Sequence, residues 1–116
     1  MLSKHIRYFN HAGKVGKLKD DQRTFYLGAV GIRDDGVMVS AYNAPSKEPC
    51  ARAHAEARLV RKLSKYSIVY VTRIARGSND WALAKPCNSC MMALRRAKVK
   101  KIYYTIGPGE YGVINL

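Results

Sequence analysis

Apolar residues recur along the chain with two different periods, and the alternation between them outlines the fold. Near the start, Ile6, Phe9 and Val15 fall loosely on one helical face behind Ser3, a residue type that caps helices, until Gly13, Gly16 and the Asp20-Asp21 pair weaken the pattern. The segment FYLGAVGIRDDGVMVSAYN then reads as two apolar strands around Arg33-Asp34-Asp35-Gly36, with Asp-Gly as the hairpin signal. Over residues 51–66, Ala53, Ala57, Val60 and Leu63 return at helical spacing while Arg52, Arg58, Arg61 and Lys65 point elsewhere, which predicts an amphipathic helix. SIVYVTRI, residues 67–74, is rich in β-branched and aromatic residues and predicts a buried central strand. A polar loop follows over residues 75–80. Pro86 is read as the first residue of another helix, which carries Cys87, Cys90, Met91 and Leu94 to about residue 98. Residues 102–106 form a fourth strand. After Gly107-Pro108-Gly109 too few residues remain for a crossover helix, so the last strand should fold back antiparallel. The order is αββαβαββ, a mixed five-stranded sheet, and no repeat interrupts it.

Composition narrows the class. A chain of 116 residues with 47% hydrophobic content is expected to form a single domain over residues 1–116, with enough core to fold without staples. No apolar run approaches the ~18 residues of a membrane span, and the first residues lack the apolar stretch of a secretory signal. No membrane partner and a cytoplasmic location are therefore expected. Lys and Arg number 21 against 8 Asp and Glu, giving +13, a charge that suggests a polyanionic partner or, more plainly, a solvated basic surface.

Two segments carry chemistry, His54-Ala55-Glu56 and Pro86-Cys87-Asn88-Ser89-Cys90, each at the start of a predicted helix. Cys87 and Cys90 stand at i and i+3, so both thiols face one way from a first turn whose dipole and free N–H groups favour thiolates. With His54 they supply one imidazole and two thiolates, three ligands that leave a tetrahedral zinc ion one open position. Zinc in such a site acidifies bound water, and Glu56, two residues past the histidine, is placed to carry protons without binding the metal. A zinc site that only stabilises the fold would also use these ligands. Cys50 reads as an ordinary buried cysteine. Tyr66, Tyr70, Tyr103 and Tyr104 read as strand packing, and His5 and His11 as surface residues.

These residues resemble the signature of the zinc-dependent cytidine and deoxycytidylate deaminase superfamily, His-x-Glu followed by Pro-Cys-x-x-Cys. His54 and Cys87 lie 33 positions apart with a strand between, and Ala41-Tyr42-Asn43-Ala44-Pro45 is similar to the Tyr-Asn-Gly segment of deoxycytidylate deaminases. The resemblance spans residues 25–104. It implies a three-layer α/β fold, the first helix on one face of the sheet and the two metal-bearing helices on the other. It also implies that His54, Cys87 and Cys90 ligate Zn2+ and that Glu56 shuttles protons. Asn43 would bond a sugar hydroxyl or the base, the Ala55 N–H would lie beside the base carbonyl, and backbone carbonyls near Ala84 and Lys85 would accept the exocyclic amine. Asn43 equally suits a turn, and Trp81 suits either stacking on a base or core packing.

The chain departs from the family pattern in two ways. It lacks the C-terminal helices of the polynucleotide and tRNA deaminases, and it has His54 where free-cytidine deaminases usually carry cysteine. The leading expectation is deamination of a free cytidine or deoxycytidine nucleoside or monophosphate. Deamination of cytosine or adenine within single-stranded DNA or RNA is the alternative, favoured by the charge, and a non-catalytic zinc-stabilised nucleic-acid-binding module is a third reading. The apolar faces of the metal-bearing helices would permit a homo-oligomer.

Overall fold

The computed structural model describes residues 4–16, 25–42, 55–75, 77–78 and 80–116. Along them lie α1 (Lys4–Gly16), β1 (Phe25–Ile32), β2 (Met38–Tyr42), α2 (Ala55–Val60), β3 (Ile68–Ala75), β4 (Trp81–Ala82), α3 (Asn88–Arg96), β5 (Lys101–Gly107) and β6 (Glu110–Asn115). The first hairpin forms where its turn chemistry predicts: Gly36 takes φ 87°, its N–H bonds the Arg33 carbonyl at 2.9 Å, and the Asp35 carboxylate accepts the Val37 N–H at 3.1 Å. Strand order across the sheet is β2-β1-β3-β5-β6, with β3 and β5 parallel and the other neighbours antiparallel. The last strand does fold back, pairing Tyr103 with Val113.

The central strand sorts its side chains by alternation. Tyr70, Thr72 and Ile74 meet α1, where the buried Thr72 hydroxyl donates to the Phe9 carbonyl at 2.7 Å. Backbone contact between α1 and β1 is so close that a Cβ on Gly28 would overlap the Ala12 carbonyl oxygen. Val69 and Val71 face the other way, into a core with Ala55 and Leu59 of α2, Leu94 of α3 and Ile102 of β5. The chain is thus a three-layer α/β structure, with α1 on one face of a mixed open sheet and α2 and α3 on the other. Among the described residues no helix is long and apolar enough to cross a membrane.

Four features correct the sequence reading. The sheet has a sixth strand, because Trp81 and Ala82 pair with Ile74 and Arg73 beyond the point where β5 leaves β3. Two residues are too few to show a period. The fully buried Thr105 hydroxyl holds this junction, donating to the Ala82 carbonyl at 2.7 Å and accepting the Arg73 N–H at 3.2 Å.

Secondly, α2 ends at Val60 rather than near residue 66. Leu63 leaves the helix to fill the space over Gly31, and the Ser67 hydroxyl bonds the Ser64 backbone twice, accepting its N–H at 3.2 Å and donating to its carbonyl at 2.7 Å. Residues 51–54, the expected start of this helix, lie outside the described residues, as does Ser3. Side chains of α2 and the turn after it reach across to β2: the Arg58 guanidinium donates to the Tyr42 carbonyl at 2.8 Å and Lys62 to the Ser40 carbonyl at 2.6 Å.

Thirdly, Pro86 precedes α3 instead of opening it, because Cys87 takes the capping position in an extended conformation. The helix closes in a Schellman motif, Val99 N–H to the Leu94 carbonyl and Lys98 N–H to the Arg95 carbonyl, with Lys98 at φ 62° where glycine is usual.

The fourth correction concerns aromatic residues. Tyr66 belongs to no strand; it sits at φ 64° in the turn before β3, 64% exposed. His5 is not a plain surface residue either. Its ring packs 4.5 Å from that of Tyr103, and its Nδ1 lies 2.6 Å from the Tyr70 hydroxyl, inside a cluster with Tyr8, Phe9 and Tyr111. Burial pushes the Tyr70 phenol well above its ordinary range, so it stays protonated in this cluster. His11 is exposed, as expected.

Candidate active site

The two chemical segments converge at one end of the paired helices α2 and α3. Ala55 and Glu56 open α2, Ala55 fully buried and Glu56 only 3% exposed. Cys87 caps α3 from an exposed position, while Cys90, one turn further, is completely buried. Carboxylates are seldom this buried without a partner, and here the partner is the thiol of Cys90. Burial pushes the Cys90 thiol far up from its usual range; the charge of Glu56, a hydrogen bond to its carboxyl and the neighbouring Cys87 thiol push it in the same direction. Glu56, Cys87 and Cys90 therefore share one site, at helix starts.

The strand junction sets this geometry. Parallel β3 and β5 separate where β4 inserts, and the chain leaving β4 passes through the buried Ala84, whose N–H bonds the Thr105 carbonyl at 2.9 Å, to Lys85, Pro86 and Cys87. A crevice beyond the carboxyl ends of parallel strands is the usual site position in open α/β sheets. Lys85 is exposed beside it. Thr105 was not foreseen as a positioning residue; a lone polar side chain inside the apolar run of β5 was its signal.

Trp81 does not join the site. Paired with Ile74, it turns to the α1 face, and its ring packs 5.2 Å from that of Phe9, so the stacking role is replaced by core packing. His54, Asn43 and Cys50 lie outside the described residues. Among the described residues no three His, Cys, Asp or Glu side chains form a metal-holding group.

The chemistry of the donors nonetheless fits zinc. Only Cys90 of the thiol pair is buried against the carboxylate, where a cation would offset the charge of its thiolate, and two thiolates with an imidazole make a zinc ligand set with one position open. Fold and donor types are those expected of a metal-dependent hydrolase of the deaminase class. Residues 2–106 match the family model of the cytidine and deoxycytidylate deaminase zinc-binding region, and the chain belongs to that family. Comparison with curated proteins finds no match.

Proposed function

We propose that the chain converts a cytosine base to uracil by hydrolysis, releasing ammonia, and that its substrate is a free cytidine or deoxycytidine nucleoside or monophosphate. The observation that carries this reading is the buried Glu56 carboxyl set against the Cys90 thiol at the mouths of two adjacent helices. His54, Cys87 and Cys90 would hold zinc, which when bound supplies a Lewis acid that brings the pKa of water towards neutrality.

Glu56 does the proton work. Its carboxylate accepts a proton from the attacking water and delivers it to N3 of the base as the new C4–O bond forms. The second proton passes from the new C4 hydroxyl through Glu56 to the 4-amino group, the C4–N bond breaks as C4=O forms, and ammonia leaves. Burial keeps this carboxyl away from bulk water, so the proton it accepts is retained for the substrate. The Ala55 N–H, at the same helix start, would meet the base carbonyl, and Asn43 would meet the sugar. Carbonyls near Ala84 and Lys85 would accept the exocyclic amine; uracil, lacking that donor, would leave them unpaired at a cost of about 1–3 kcal/mol.

The net charge of +13 favours a second reading, the same chemistry on a base within single-stranded DNA or RNA. The test is ammonia release, with product identified by mass, from zinc-loaded protein offered deoxycytidine monophosphate, cytidine, single-stranded DNA and RNA, and adenosine-bearing RNA. Uracil formed in the monomers supports the leading reading; uracil formed only within a strand replaces it with the second. No deamination of any substrate by the zinc-loaded protein refutes both.

A further inference from the structure

The end of α3 remote from the cysteines, together with the turn before β3, carries an open pocket of about 730 Å³, lined by Tyr66, Arg95, Lys98 and Lys100, with Asp34 as its acidic side chain. Arg95 lies eight residues along α3 from Cys87, roughly 12 Å at 1.5 Å per residue, so this is not the candidate active site. Beside it, a groove of about 460 Å³ between α2 and α3 adds Lys65 and Arg96, the sequence neighbours of Tyr66 and Arg95. Five cations thus line two adjoining hollows. Tyr66, the aromatic residue among them, exposes 64% of its surface.

The pocket is also built on strained backbone. Tyr66 at φ 64° and Lys98 at φ 62° are the non-glycine residues of positive φ among those described, and they meet: the Tyr66 N–H bonds the Lys98 carbonyl at 2.7 Å. Lys100 N–H to the Ser67 carbonyl at 2.9 Å ties the residue after Tyr66 to the second residue after Lys98. Backbone held in this region by ordinary side chains is unfavourable, and glycine would remove the strain at either position. A tyrosine and a lysine stand there instead, and both line the pocket.

We propose that this pocket and groove bind the phosphate backbone of single-stranded nucleic acid, with Tyr66 as the stacking platform for one base. Cations in two neighbouring hollows suit successive phosphates, and an exposed ring suits an unpaired base, whose face a duplex keeps covered. The overall charge of +13 draws the same partner by long-range attraction. This site does not rest on the deamination reading, because binding here requires neither zinc nor Glu56.

The experiment is fluorescence anisotropy of labelled oligouridine and oligothymidine against salt, using the whole chain. Replacing Arg95, Lys98 and Lys100 together by alanine is expected to weaken binding at least tenfold and to reduce the salt slope by about two, at ~0.7 per lost phosphate contact. Replacing Lys4, Arg7 and Lys14, exposed on α1, removes the same charge and should change affinity by less than about threefold if steering alone is lost. Tyr66→Ala should weaken binding about tenfold and Tyr66→Phe should restore it, since the ring is retained. Lys98→Gly separates binding from folding: it relieves the backbone and should raise the melting temperature while lowering affinity. Equal losses from the two triple variants, tighter binding of duplex than of single strand, equal displacement by polyglutamate, or no binding by the wild-type chain would each overturn the proposal.

Discussion

Thr105→Val tests whether a single hydroxyl sets the position of the cysteine-bearing turn. The substitution keeps shape and volume, so no cavity forms, but it removes the donor to the Ala82 carbonyl and the acceptor of the Arg73 N–H at a fully buried point. A buried polar group deprived of its partner costs about 1–3 kcal/mol. The 2.7 Å bond to Ala82 should dominate over the 3.2 Å bond from Arg73, which places the expected loss near 2 kcal/mol. For a domain of this size that corresponds to a melting temperature lower by roughly 8 °C. Thr105→Ser keeps the hydroxyl and deletes a methyl group, a loss of about 0.8 kcal/mol of burial. Urea denaturation followed by circular dichroism should therefore rank wild type above serine and serine above valine. Transfer free energy alone predicts the reverse order for the two variants. Because β4 leads through Ala84 to Cys87, the valine variant should also bind zinc more weakly than the serine variant, as read by competition with a chromogenic chelator. Valine equal to or more stable than wild type would refute the hydrogen-bond account of the junction.

Other predictions follow from the same structure. Gly28→Ala should cost about 1–3 kcal/mol by forcing α1 away from β1, whereas Gly77→Ala, where a Cβ meets nothing within 4 Å, should be neutral or slightly stabilising; denaturant midpoints check both. Glu56→Gln should retain fold and zinc content yet lower turnover by about 10²–10⁴, the range for a general acid-base group, as measured by ammonia release. In metal-free protein, alkylation mapped by mass spectrometry should label the exposed Cys87 well before the buried Cys90, and zinc should protect Cys87. Tyr70 holds its proton more tightly folded than unfolded, so its contribution to stability is complete below its ordinary pKa of 10.0 and is lost as pH rises beyond it. Tyr70→Phe should flatten that alkaline decline in a series of pH-dependent melts.

The parts of the molecule legible in the sequence are those where chemistry or periodicity is local. Asp35-Gly36 fixes its own turn, and the run of β-branched and aromatic residues over 67–74 marks a buried central strand whatever surrounds it. The spacing of Cys87 and Cys90 shows that both thiols occupy one helical turn. Features decided by distant partners were not legible. Trp81 gives no sign of which face it takes, because that depends on the register of a two-residue strand against Ile74. The end of α2 is set by a cavity over Gly31 and by two serines whose bonds compete with the helix. His5 looks like part of a charged surface until Tyr70, 65 residues away, is placed beside it.

The bonds from Arg58 to the Tyr42 carbonyl and from Lys62 to the Ser40 carbonyl reach the lateral margin of the sheet, where among the described residues no strand lies beyond β2. Unclaimed carbonyls along such a margin are a template on which another chain can add a strand and begin an aggregate. Two cations laid across β2 occupy that template and place positive charge where an incoming backbone would dock. Replacing Arg58 and Lys62 would thus change the tendency of the chain to self-associate edge to edge more than it would change the attraction of the surface for anions.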